Sequence, residues 1–113
     1  MKTIIAGSRD ITDYTVVLSA ILLSEFKITE VVAGGARGVD KLAERFAADM
    51  PLPIVIFSAD WNNYLRAAGM IRNRQMAEYA DALIAVWDGK SRGTRNMIDE
   101  AARKNLKLFV HKI

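Results

Sequence analysis

The chain has 113 residues, 51% of them apolar, with 16 Lys and Arg against 13 Asp and Glu, one histidine and no cysteine. That length accommodates one domain with one core and leaves no room for a separate substrate domain. The missing cysteines exclude a disulfide framework and a thiolate metal site, and His111 cannot build a metal site alone. A net charge of +3 and a pI of about 9.4 favour phosphate-bearing or polyanionic partners. The opening run, Met1 to Gly7, carries one positive charge and is too short in apolar residues for a signal sequence. No stretch reaches membrane-spanning length, so a cytoplasmic protein with no membrane partner is expected.

Short apolar runs alternate with amphipathic stretches along the whole length, the pattern of an α/β fold with a parallel sheet. Strands are expected at Thr3 to Ala6, Glu30 to Ala33, Pro53 to Phe57, Ala82 to Trp87 and Lys107 to His111. Pro51 and Pro53 flank the third run and the fifth is mixed in polarity, which marks both as edges. The first helix is expected from Asp13 to Phe26, capped by Thr12, with Tyr14, Val17, Leu18, Ile21 and Leu22 inward. The second buries Val39, Leu42, Ala43, Phe46 and Ala47. A third runs from Gly69 to Tyr79, and a fourth from Thr94 to Lys104 with Ile98, Ala101 and Ala102 inward. Right-handed crossovers then favour a Rossmann-like three-layer sandwich, its five-stranded parallel sheet in the order 3-2-1-4-5 and flanked by about four helices. In that order the first and fourth strands meet where the winding reverses, and ligands bind outside the carboxyl ends of strands at such a point.

Three polar loops follow strands there: Gly7-Ser8-Arg9-Asp10, Gly34-Gly35-Ala36-Arg37-Gly38-Val39-Asp40 and Asp88-Gly89-Lys90-Ser91-Arg92-Gly93-Thr94. Each joins glycine, which lets backbone N–H groups approach a ligand, to arginine and to a hydroxyl or carboxylate. Six of the nine arginines, Arg9, Arg37, Arg72, Arg74, Arg92 and Arg95, lie in or beside such segments. Their planar forks suit phosphate better than a lysine does. In this reading Ser8, Arg9, Gly35, Arg37, Ser91, Gly93 and Thr94 hold phosphate, Gly7 permits a tight turn, and Gly34, Gly38, Asp40, Arg72, Asn73 and Arg92 are further ligand-binding residues. Asp10, Asp88 and Trp61 would meet a ribose or base, and Asp40 sits at a helix start. Ser8, Asp10 and Asp88 also suit plain turn and cap chemistry. Trp61 could stack on a base or anchor its loop, whereas Tyr64 reads as an anchor. Of Arg72, Asn73 and Arg74, adjacent on a helix, at most two can face one ligand. Neither Gly-x-Gly-x-x-Gly nor a Walker A loop is present, which argues against P-loop ATP hydrolysis.

These blocks, together with Asp60-Trp61, Ala68-Gly69, Arg72-Asn73-Arg74-Gln75-Met76 and Asp81-Ala82, resemble the SLOG superfamily, particularly its small YspA/YpsA-related branch. The resemblance implies a stand-alone domain that binds a nucleotide-derived ligand: a nucleoside phosphate, an ADP-ribose derivative or a cyclic nucleotide signal. It would be a sensor or sequestering protein, and a homodimer by analogy. No cofactor is required on this reading beyond a Mg²⁺ that ligand phosphates could carry. The alternative is a nucleotide N-glycoside hydrolase resembling the Lonely Guy phosphoribohydrolases, with Arg72 and either Asp40 or Asp88 as catalytic candidates. In that comparison Arg72 and Gly93-Thr94 match, but the family's catalytic glutamate falls at Met97, and Asp99 is expected to point elsewhere. A third reading, single-stranded DNA binding, follows from resemblance to DNA-processing protein A at Gly34 to Asp40, Arg72 to Arg74 and the Ser91 loop.

Overall fold

The computed structural model describes all 113 residues. Five strands, β1 (Lys2–Gly7), β2 (Glu30–Ala33), β3 (Ile54–Ile56), β4 (Ala82–Trp87) and β5 (Lys107–Lys112), form one sheet in the order β3-β2-β1-β4-β5. Every pairing is parallel. The expected order and edge strands are thus observed. The third strand is shorter than its apolar run, although its pairing carries on at both ends. Val31 N–H donates to the Pro53 carbonyl at 2.9 Å, and Phe57 N–H to the Ala33 carbonyl at 2.9 Å.

Side chains alternate across the strands, so the sheet divides the apolar interior into two clusters rather than one core. On one face Ile5, Val31, Ala33, Ile84 and Val86 pack under α1 (Tyr14–Ser24) and α2 (Val39–Asp49). On the other, Ile4, Ala6, Val32, Leu83 and Ala85 meet α4 (Ala68–Tyr79) and α5 (Arg92–Arg103). Each fully buried aliphatic side chain contributes about 1.5–3 kcal/mol relative to exposure. A short additional helix, α3 (Trp61–Tyr64), precedes a 3₁₀ turn at Leu65–Ala67, and together they occupy the connection between β3 and α4.

Four local expectations are corrected. Asp13, not Thr12, caps α1: its carboxylate accepts the Thr15 N–H at 2.9 Å and the Thr15 hydroxyl at 2.6 Å. That helix ends at Ser24, because Glu25 turns into the left-handed region at φ 59°. Its inward face is Val17 and Ala20, flanked by half-buried Tyr14 and Ile21, whereas Leu18 and Leu22 are exposed. A helix apolar on all sides gives periodicity nothing to choose between. In α5, Ser91 caps two residues earlier than expected; Met97 and Ala101 face the sheet, Ile98 is half-buried against it, and Ala102, expected inward, is exposed.

Candidate functional site

At the carboxyl ends of β1 and β4, where the strand order reverses, a cavity of about 490 Å³ lies between the β1 terminus, α4 and the start of α5. A second lobe of about 370 Å³ adjoins it against the loop after β2. The lobes share Arg9, Ala36, Trp61 and Arg72. Ligand sites in open α/β sheets lie at such a switch point.

Of the residues expected to bind, all but Ser8, Asp10, Gly38 and Asp88 line one lobe or both. Gly7, Asp40, Asn73, Ser91, Arg92, Gly93 and Thr94 line the larger, and Gly34, Gly35 and Arg37 the smaller. Three of the four exceptions are tied to the protein itself, and the fourth, Asp10, faces solvent. Ser8 is buried, and its hydroxyl accepts the Asp88 N–H at 3.2 Å. Asp10 faces Arg37 across 3.7 Å of open surface, its side chain 90% exposed. Asp88 accepts the N–H groups of Lys90 and Ser91, each at 2.8 Å, and those bonds hold its carboxyl below the usual range. Gly38 has φ +76°, and a β-carbon there would sit 2.5 Å from the Ser8 and Arg9 carbonyl oxygens, so it packs the second loop onto the first.

Arg72 is the most constrained cation of the site. It is 9% exposed on the inner face of α4, donates from Nη1 to the Gly34 carbonyl at 2.6 Å and from Nε to Asn73 Oδ1 at 2.9 Å. Asn73 in turn donates to the Gly93 carbonyl at 3.2 Å and to Asn96 Oδ1 at 2.9 Å, tying α4 to α5. Nη2 has no protein acceptor. Burial lowers the Arg72 pKa, with Asp40 opposing the shift, yet a guanidinium stays charged at neutral pH. The adjacent Arg74 points to α5 and pairs with Glu100 at 3.3 Å. Two of the three neighbours therefore face the cavity.

Asp40 is 6% exposed at the start of α2. Burial pushes its pKa up to about 6, against the Ala36 N–H, which it accepts at 3.2 Å, and the charge of Arg72. The group can thus hold or release a proton near neutrality. Ser91 and Thr94 spend their hydroxyls on one another at 3.0 Å, and Ser91 Oγ also accepts the Thr94 N–H at 3.3 Å. This leaves the first-turn N–H groups of Arg92 and Gly93, which have no intrahelical acceptor, on residues that line the cavity. No three His, Cys, Asp or Glu side chains gather as a metal site would require, so the donor set does not build a protein-held cage for Mg²⁺.

Several lining residues were absent from the expected set. Arg66 and Arg95 bring the arginines of the larger lobe to five, with Arg9, Arg72 and Arg92, against two carboxylates, Asp40 and Asp99. Asp99 was expected to point away and instead lines the lobe. Met70, Met76 and Met97 form an apolar wall. Helical spacing signals both stripes, Gly69, Arg72, Asn73 and Met76 on one helix and Arg92, Arg95, Asn96 and Asp99 on the other. Trp61 is 49% exposed and lines both lobes. Tyr64, expected to anchor its loop, is 51% exposed; the anchor is Asp60, which accepts from the Asn63 N–H at 3.2 Å and its amide side chain at 2.8 Å.

A model of the YspA, cpYpsA-related SLOG family matches residues 1–64, which include the first two loops and Trp61. The chain is also 34% identical over 115 residues to the gene 61 protein of Mycobacterium phage D29, a match covering 93% of this chain and 91% of that protein. Among solved structures it is similar to a predicted subunit of tRNA methyltransferase from Methanocaldococcus jannaschii. That likeness has 16% identity and a TM-score of 0.45, and covers 97% of this chain and 67% of the other. By the family match, the chain belongs to the YspA, cpYpsA-related SLOG family.

Proposed function

We propose that this protein binds a nucleotide-derived ligand in the cleft at the β1–β4 switch point and acts as a sensor or sequestering protein. The observation that carries the reading is Arg72, a buried guanidinium with one nitrogen unspent, in a cavity holding five arginines and two carboxylates. Charge-assisted bonds from arginine to phosphate oxygens are short and strong in such surroundings. The methionine wall and Trp61 offer an apolar surface of the kind a flat base packs on.

A second reading, hydrolysis of a nucleotide, is favoured by one observation: Asp40, poised near pH 6, lines the same lobe as Arg72. Against it stands Met97, 1% exposed in the cavity wall, where the Lonely Guy comparison requires a glutamate. A thioether neither gives nor takes a proton.

Thermal unfolding with AMP, NAD, ADP-ribose, a cyclic dinucleotide or a short single-stranded DNA, followed by mass spectrometry of each small ligand, tests the proposal. A ligand at 100 times its Kd stabilises by about 2.7 kcal/mol, a Tm rise of about 10 °C for a domain of this size. A shift with intact ligand recovered supports binding alone, and cleaved product supports the hydrolase. A response to DNA only, or to nothing in the series, overturns the nucleotide reading.

A further inference from the structure

We propose, resting on the nucleotide reading above, that the two lobes receive the two ends of one pyrophosphate-bridged ligand. A base and its ribose would occupy the larger lobe and a second, sugar-sized polar group the smaller, with the diphosphate at the waist.

The waist is the set of residues common to both lobes. It holds two arginines, Arg9 and Arg72, beside Trp61 and Ala36. Arg72 reaches it with Nη2 free of protein acceptors, and Arg9 makes no ion pair with any carboxylate. Two cations at the junction of two chambers suit two linked phosphates, since Arg9 can take a pair of oxygens and Arg72 can donate through Nη2. A lone terminal phosphate would have no need of the chamber beyond it.

The chambers differ in chemistry. The larger has Met70, Met76 and Met97, soft and adaptable side chains that fit a planar ring. The smaller has none of these. Apart from Ala59, the residues found only there are Gly34, Gly35, Arg37 and Ser58, which present backbone polar groups, a guanidinium and a hydroxyl. That lining suits hydroxyl groups rather than a second base. Arg37 is available, because its one ionic contact is the 3.7 Å pairing with Asp10 at side chains 75% and 90% exposed.

AMP and ADP-ribose separate the two designs, because they share the base, ribose and first phosphate and differ in what lies beyond the waist. Calorimetric Kd values at one ionic strength are measured for the unmodified protein and for Arg37→Ala and Ser58→Trp, both at exposed positions of the smaller lobe. Circular dichroism checks that each variant is folded. ADP-ribose is expected to bind at least about tenfold more tightly than AMP, the yield of a single charged hydrogen bond. Each variant is expected to bring that ratio close to one, and Ser58→Trp to leave AMP affinity unchanged. AMP binding as tightly as ADP-ribose, or a ratio unaltered by Ser58→Trp, overturns the two-lobed design while leaving the nucleotide reading intact. If neither compound binds the unmodified protein, the two-lobed design fails, and the thermal series with NAD and the cyclic dinucleotide decides whether the nucleotide reading fails with it.

Discussion

Arg72 and Asp40 meet across the backbone of Gly34: a β-carbon at position 34 would fall 2.8 Å from Arg72 Cζ and 2.9 Å from Asp40 Oδ2. A base-catalysis candidate and a phosphate-binding candidate from different helices are thus held in place by the absence of one side chain. Gly34→Ala should displace Arg72 and cost about 1–3 kcal/mol through overpacking. Urea unfolding reads the loss; a variant as stable as the parent would mean that the Arg72 side chain relocates freely.

The contrast between Arg72 and Arg74 separates site from scaffold. Arg72→Lys loses the Nε bond to Asn73 and the fork that serves Gly34 and the cavity together. Ligand affinity should fall about 10- to 100-fold, or about 1.5–3 kcal/mol. Arg74→Ala should leave affinity unchanged and cost at most about 1 kcal/mol of stability, because its side chain is 59% exposed. Titrating AMP or ADP-ribose into both variants checks this; equal losses would contradict the assignment.

Asp40 gives the protein a pH signature. Its folded pKa of about 6 lies above the ordinary carboxylate value, so between roughly pH 4 and 6 the native state holds a proton that the unfolded chain has lost. Its contribution to stability is therefore full below pH 4, declines as pH rises through 6, and is absent above. The decline is about 3 kcal/mol at most. Asp40→Asn removes this titration, so its stability relative to the parent should improve from pH 4 to pH 7. Denaturant midpoints at four pH values measure it; a constant difference between the two proteins would contradict the buried carboxyl.

Glu100 illustrates a buried charge that serves the fold alone. It is 2% exposed, and Arg74 at 3.3 Å and Arg103 at 3.2 Å hold its two oxygens. Breaking a fully buried ion pair costs about 3–5 kcal/mol, but Arg74 and Arg103 are more than half exposed and reach water once Glu100→Ala releases them. We expect about 1–2 kcal/mol with unchanged ligand affinity, measured by thermal melts and titration. A larger effect on affinity than on stability would place Glu100 within the site.

The strand order and the three loops were legible because their signals are local or follow from chirality. Uninterrupted runs such as Ala82 to Trp87 mark strands covered on both faces, and right-handed crossovers then fix which strands become neighbours. The second helix was equally readable, since Val39, Ala43, Phe46 and Ala47 form one stripe against a polar remainder. In α1 the same method failed, because Leu18, Leu22 and Leu23 leave no polar side to set the rotation.

By itself the sequence determined a parallel α/β domain, the end of the sheet where a ligand would sit, and the residue types gathered there. Tertiary structure alone decided which of those side chains are free. Ser8 and Asp88 were plausible ligand contacts until the fold joined them to one another, 80 residues apart, and Asp88 to the turn that follows it. Gly34, Asp40 and Arg72 became one unit only when α2 and α4 converged on the loop after β2. The physical reason is that a hydrogen-bonding group has a limited number of bonds to give, and distant segments compete for them only once the chain has folded.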